Sequence, residues 1–193
     1  ERMFRLFLTG LATAPSRELV ERLVTIGAGN SYAIKSLVRW LHEAHGIVEV
    51  KTSQGSRWIL EETIVQRLSV PDTLEGVIHA RIAALAPAER ELLAQAALVG
   101  REFWLGALVA IARASEEPAE ETSSPMDFGE DALPIRVRQV LKKLVAQRFI
   151  ETRASPLSGE ECFGFRSSVH WEAALEALPQ TTRQKWHRVV LSW

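Results

Sequence analysis

The sequence IRVRQVLKKLVAQRFIET, residues 135–152, contains a helix pattern followed directly by a strand pattern. Residues 135–148 place apolar side chains at helical spacing on one face, namely Val137, Val140, Leu141 and Leu144. Residues 149–152 are typical of a short strand, and residues 162–165 repeat that character after a turn sequence rich in Ser, Pro and Gly. This stretch therefore predicts a helix and an antiparallel hairpin.

Two further helix patterns precede this stretch. Pro87 suits the first position of a helix that continues over residues 88–99 and ends at Gly100. Residues 103–112 have the pattern of another helix. Three helices followed by a two-stranded hairpin, ending at Arg166, are the element order of a winged helix, and we therefore expect a winged-helix domain.

The first part of the chain predicts a smaller helical module. One helix runs from Ser16 to about residue 26, with an apolar face that contains Leu19, Val20, Leu23 and Val24. Asn30 caps a second helix, whose apolar face contains Ile34, Leu37, Val38 and Leu41. Residues 47–50 and 57–60 predict a hairpin, and a third helix follows with Asp72 as its cap.

These patterns predict a mainly α fold in three parts. A helical module with a hairpin covers residues 1–75, the winged-helix domain covers 76–167, and a C-terminal helical extension covers 168–193. Within the winged-helix domain, residues 113–134 are expected to form an acidic loop of low hydrophobicity. The extension is expected to contain two helices, the second of which starts at Thr181.

Composition limits the classes of function. The chain has 193 residues, of which 47% are hydrophobic, and a formal net charge of -1. This hydrophobic share excludes general disorder, and the small charge excludes a uniformly basic nucleic-acid-binding surface. No apolar run reaches the length of a membrane span, so we expect a cytoplasmic protein with no membrane partner. The sequence begins at Glu1 and not at Met, from which we expect a piece of a longer protein.

Sequence motifs indicate no catalytic or metal-binding residue. The P-loop pattern G-x-x-x-x-G-K-[ST] and the nucleophile pattern G-x-S-x-G do not occur in the sequence. His42 and His45, with Glu43 between them, supply at most half of a zinc site. The single cysteine, Cys162, lies in a predicted strand, where we expect a small buried side chain. We therefore predict a chain that is not an enzyme and that has no metal site.

The predicted helix over residues 135–148 also carries a basic face outside its apolar stripe. Its members are Arg136, Arg138, Gln139, Lys142 and Lys143. The helix before the hairpin of a winged helix can enter the DNA major groove, so a DNA-binding transcriptional regulator is one alternative function. The acidic loop and the pair Glu160 and Glu161 would repel phosphate groups and argue against it.

Several segments of the chain, taken together, resemble one protein family. They are residues 29–32, 37–41, 57–60, 70–78, 80–85, 89–103 and 165–187. Their order and spacing resemble the region that follows the nucleotide-binding core in bacterial STAND-type signalling ATPases. These are large AAA-like regulators, often fused to Ser/Thr kinases, nucleotide cyclases or transcription-factor domains.

The resemblance implies a helical lid followed by a winged helix, both closing over a nucleotide that a preceding P-loop domain holds. Asn30, Ser31 and Tyr32 would then lie near the base, and Arg166 and Ser167 near the phosphates. The family usually has proline at the position of Ser31 and histidine at that of Ser167, so the nucleotide sensor is expected to be degenerate. ATP or ADP would be the cofactor of the parent protein, and this chain alone would have none.

The resemblance therefore predicts a non-catalytic regulatory region that acts as a nucleotide-sensing or partner-docking switch. Its implied partners are the preceding P-loop NTPase domain and other protein domains. A protein-interaction scaffold is the second alternative, beside the DNA-binding regulator.

Overall fold

The computed structural model describes residues 17–27, 30–52, 55–68, 70–115, 132–157 and 159–178, together with Arg183, Trp186, His187 and Val189. The chain divides into two compact units, Glu1–Arg81 and Ile82–Trp193. The structure is mainly helical with two small antiparallel sheets, which confirms the predicted fold class. The boundary between the units follows Arg81, whereas the predicted boundary follows residue 75.

The N-terminal unit contains helices and one hairpin. Its elements are α1 (Arg17–Gly27), α2 (Ser31–Glu43), β1 (Ile47–Thr52), β2 (Gly55–Leu60), α3 (Glu62–Arg67) and α4 (Leu74–Ala83), the last of which continues past Arg81. Strands β1 and β2 are antiparallel, with Ile47 opposite Leu60. The core of this unit is apolar and includes Leu23, Ile26, Ile34, Leu37, Leu41, Ile47, Val65 and Val77. The predicted helices and hairpin of this module are therefore present.

Two details of the N-terminal unit differ from the prediction. Val24 is 56% exposed, because it lies about 100° around α1 from the buried Leu23 and outside the buried face. Thr73 lies directly before α4, and its Oγ1 accepts a hydrogen bond from the Gly76 N–H at 3.0 Å. Thr73 thus performs the capping that the sequence pattern assigns to Asp72.

In the part of the chain that the structure describes, the C-terminal unit combines helices with three short strands. Its elements are α5 (Pro87–Val99), β3 (Glu102–Trp104), α6 (Leu105–Ser115), α7 (Ala132–Ala146), β4 (Ile150–Arg153), β5 (Cys162–Phe165) and α8 (Ser168–Glu176). The three strands form an antiparallel sheet in the order β3-β5-β4. Pro87 begins α5, and Gly100 follows its last residue with a φ of 155°, a value that favours glycine.

One prediction in this unit is wrong, since Phe103 and Trp104 belong to a strand and not to the following helix. They pair with Phe163 and Cys162 of β5. The Phe103 ring is fully buried. It is stacked on the ring of Phe163 at 5.9 Å and tilted against the ring of Phe165 at 5.7 Å. The partner strand lies far along the chain, so the local apolar spacing alone does not reveal this short strand.

The predicted core face of α7 is present. Val137, Leu141 and Leu144 are buried, and Val140 is half-buried. The helix begins at Ala132 and so includes the last part of the predicted acidic loop over 113–134, while residues 113–115 belong to α6. The remainder of that loop lies outside the described residues.

The C-terminal helical extension is described in part. Helix α8 confirms its first helix, whereas the predicted second helix lies mostly outside the described residues. Within that second helix, the Arg183 guanidinium donates to the carbonyl oxygens of Leu175 and Leu178 at 2.7 and 3.2 Å. The Leu175 carbonyl also accepts a hydrogen bond from the Leu178 N–H at 3.2 Å, so Arg183 adds side-chain donors at the C-terminal end of α8.

Candidate functional site

The first predicted nucleotide-proximal set forms the N-terminal cap of α2. The Asn30 Oδ1 accepts a hydrogen bond from the Tyr32 N–H at 2.9 Å, and the Asn30 N–H donates to the Gly27 carbonyl. Asn30 has extended backbone and thus the geometry of a helix cap, as predicted. Ser31 is exposed and Tyr32 is half-buried. The Asn30 side chain stabilises the start of α2, and this capping role explains an asparagine at position 30 without any ligand.

The second set, Arg166 and Ser167, lies between β5 and α8 in the C-terminal unit. The Arg166 Nη1 is 3.6 Å from Glu151 Oε2, and the Arg166 N–H donates to the Phe149 carbonyl at 3.2 Å. The Ser167 Oγ lies 2.9 Å from His170 Nδ1, within hydrogen-bond distance. Ser167 occupies the cap position of α8, yet its hydroxyl caps no helix N–H.

His170 is a residue that the motif analysis does not identify. Its side chain is completely buried, and its ring meets the ring of Phe149 edge-on at 5.8 Å. The only sequence signal is its position one helical turn after Ser167, which lets the two side chains meet. The hydroxyl of Ser167 is therefore directed to a buried partner within its own unit.

A network of ion pairs lies on one face of the three-stranded sheet. Arg153 of β4 lies 3.5 Å from the carboxylate of Glu102 on β3 and 2.9 Å from that of Glu151 on its own strand. Between them, Gly164 of β5 stands opposite both Glu102 and Glu151. A Cβ atom at Gly164 would lie 2.6 Å from Arg153 Nε, so the arginine side chain crosses the central strand over this glycine. Arg166 belongs to the same network of ion pairs through Glu151.

The predicted nucleic-acid face of α7 is partly neutralised by carboxylates of the same unit. Arg138 Nε is 2.7 Å from Glu161 Oε1, and Lys143 Nζ is 3.7 Å from Glu89 Oε1. Glu89 is buried in the first turn of α5 and also accepts a hydrogen bond from Gln147 Nε2 at 3.2 Å. The other predicted residues of this face, Arg136, Gln139 and Lys142, are exposed.

The His42, Glu43 and His45 group has structural roles at the end of α2. Both carboxylate oxygens of Glu43 accept hydrogen bonds from the Arg81 guanidinium at 2.8 Å. The His42 ring packs edge-on against the Trp58 ring at 5.4 Å. His45 has a φ of 58° and forms the left-handed residue that ends the helix. The geometry thus explains these residues without a metal.

Cys162 is a buried thiol in β5, as predicted. Burial raises the pKa of Cys162 above its ordinary value of 9.0, and the negative charge of Glu102 raises that pKa further. Its Sγ contacts the Phe163 carbonyl oxygen at 3.8 Å. A protonated, buried thiol acts as a small apolar group and not as a nucleophile.

Comparison with known proteins does not assign the chain to a family. In the part of the chain that the structure describes, no helix combines the length and the apolar character that a membrane span requires. No family model, no curated protein and no solved structure matches the chain.

Proposed function

We propose that the chain is a non-catalytic regulatory region, the helical lid and winged helix of a cytoplasmic STAND-type ATPase, in which the winged helix docks protein partners. The order of the family-like segments and the combination of helices with three short strands in the C-terminal unit support this proposal. The observation that carries it is the hydroxyl of Ser167. It occupies the position where the family has a phosphate-sensing histidine and lies 2.9 Å from the buried His170.

The chemistry of that position favours docking over nucleotide sensing. Serine donates one hydrogen bond and carries no charge, whereas a histidine can be cationic beside a phosphate. To reach a phosphate, Ser167 would have to give up its contact with His170. Arg166 would have to part from Glu151, which lies 3.6 Å away. In the proposed switch, ATP or ADP in the P-loop domain alters the exposure of the winged helix to its partners.

Nucleotide titration of the chain tests the non-catalytic, P-loop-dependent part of this proposal. We expect ATP and ADP to bind more weakly than about 1 mM by calorimetry, because the sequence has no P-loop. Saturable micromolar binding of either nucleotide would overturn the proposal.

Substitution of Ser167 in the full-length protein tests the loss of sensing. We expect Ser167→Ala to leave the ratio of ATP to ADP affinity within about twofold of wild type, while lowering thermal stability through the lost contact with His170. Ser168→Ala, at an exposed neighbour, is the matched control. A tenfold or larger change in the affinity ratio for Ser167→Ala alone would assign Ser167 a sensing role.

A further inference from the structure

Helix α7 presents an exposed stripe on the side opposite its core face. The stripe consists of Ile135, Gln139, Lys142 and Ala146, all of which are exposed. Their alternating spacing of four and three residues is that of the contact seam of a coiled coil. Ile135 is 49% exposed, although burial of a large apolar side chain away from water lowers the free energy.

Three of the residues that flank this stripe are basic. Arg136 and Lys143 lie on one side of it and Arg138 lies on the other, which are the positions that set partner choice in a coiled coil. Lys143 keeps a side chain that is 66% exposed while it lies 3.7 Å from Glu89. The buried residues Val137, Leu141 and Leu144 hold the opposite face of α7 in the core. The stripe is therefore displayed on a fixed helix.

We propose that this stripe docks an acidic amphipathic helix of a partner protein. The proposal deepens the proposed docking function and rests on it. Apolar residues of the partner would cover Ile135 and Ala146, while its carboxylates would face Lys142 and Lys143. The seam spacing fits a helix, and the exposed side chains of Lys142 and Lys143 fit an acidic one.

The same surface suits a protein helix better than a nucleic acid. The phosphates of a duplex form a closely spaced line of negative charge and make no apolar contact with Ile135. A partner helix can place apolar and acidic groups separately, to match Ile135 and Lys142.

The test uses fluorescent peptides of about three heptads, cross-linked so that they are helical before binding. One peptide has Leu along its seam and Glu at the flanks, and the second has Lys in place of every Glu. A fluorescent DNA duplex of similar length is the third probe. Binding is measured by anisotropy at low and moderate salt, with wild type, Lys142→Glu and Ile135→Gln. Lys35→Glu, at an exposed lysine of α2, is the matched control.

We expect the acidic peptide to bind wild type and Lys35→Glu equally. Lys142→Glu is expected to weaken this binding by about tenfold, and Ile135→Gln by about fivefold, with unchanged circular dichroism spectra. The docking surface would be overturned if the acidic peptide did not bind or if both peptides bound equally. It would also be overturned if the duplex bound more tightly than the acidic peptide and Lys142→Glu abolished that binding. Such failures leave the nucleotide titration unaffected, so they are distinguishable from a failure of the proposed function.

Discussion

At the scale of single residues, one contact explains the amino-acid type at several positions. Gly164 leaves room for the Arg153 side chain, which crosses the central strand of the sheet to reach Glu102 and Glu151. Glu43 neutralises Arg81, whose side chain is only 2% exposed. Cys162 fills a buried position beside Phe163. Each contact gives a prediction that one or two substitutions can test.

The glycine at position 164 is expected to be needed only because of Arg153. Gly164→Ala places a Cβ against Arg153, so the arginine must leave its carboxylate partners, and we expect a loss of about 1 kcal/mol in unfolding free energy. In the Arg153→Ala background the same substitution should be neutral or slightly stabilising, since alanine suits a strand better than glycine. Urea unfolding of the four proteins in this double-mutant cycle gives the coupling. Equal losses in both backgrounds would contradict the explanation.

The pair formed by Glu43 and Arg81 is expected to contribute strongly to the N-terminal unit. Glu43→Ala leaves a buried guanidinium without its bidentate partner, and we expect a loss of about 2–3 kcal/mol. The expected loss lies below the range of about 3–5 kcal/mol for fully buried pairs because the Glu43 side chain is 33% exposed. Gln66→Ala, at an exposed position of α3, is the control and should stay within about 0.5 kcal/mol of wild type. Chemical denaturation of the three proteins measures both values.

The buried thiol of Cys162 is expected to make stability fall at alkaline pH. The pKa of Cys162 in the folded state lies above the ordinary value of 9.0. The protonated thiol therefore contributes fully to the unfolding free energy below pH 9.0, and this contribution is lost as the pH rises through the folded-state pKa. Cys162→Ala should therefore show a smaller decrease in unfolding free energy between neutral pH and pH values above 9.0. Parallel pH dependences for the two proteins would argue against this assignment.

At the scale of elements, helices α2 and α7 end in the same way. Each closes with a residue in the left-handed conformation, His45 with φ 58° and Arg148 with φ 62°. In α7, Arg148 N–H donates to Val145 and Phe149 N–H donates to Leu144, each at 3.0 Å. In α2, His45 N–H donates to the His42 carbonyl at 3.1 Å and Gly46 N–H to that of Leu41 at 2.7 Å. These are Schellman motifs in which glycine is the usual residue at the left-handed position.

Glycine at either position is expected to stabilise the chain. Relief of the left-handed strain outweighs the entropy that glycine loses, so His45→Gly and Arg148→Gly should each raise the unfolding free energy by about 0.5–1 kcal/mol. Arg57→Gly, at an exposed position inside β2, is the contrasting control and should be destabilising. Thermal melts rank the variants, and a lower melting temperature for both helix-end glycines would refute the strain argument.

At the scale of the whole molecule, the C-terminal unit is expected to fold by itself. Its described core is supplied by its own helices and strands, with Leu93, Phe103, Leu108, Leu141 and Phe149 almost fully buried. A protein consisting of residues 82–193 should therefore unfold cooperatively in urea, with helical circular dichroism. A non-cooperative transition or an unfolded spectrum would show that this unit depends on residues 1–81.

Most helices and both hairpins of this protein follow from local sequence patterns. Asn30 and Gly100 act through the backbone next to them, and the apolar stripe of α7 depends only on the helical period. Cys162 was also predictable, because a cysteine in an apolar strand is usually buried. These features arise from interactions between residues that are close in the chain.

Other features depend on contacts between groups that are distant in sequence, which local patterns do not predict. Strand β3 exists because Phe103 pairs with Phe163 of β5. The basic face of α7 looks uniform in the sequence, yet folding brings carboxylates from other elements to Arg138 and Lys143. The contact between Ser167 and His170 lies between these cases. Its spacing is local, but only the fold buries His170 and so gives the Ser167 hydroxyl a partner within its own unit.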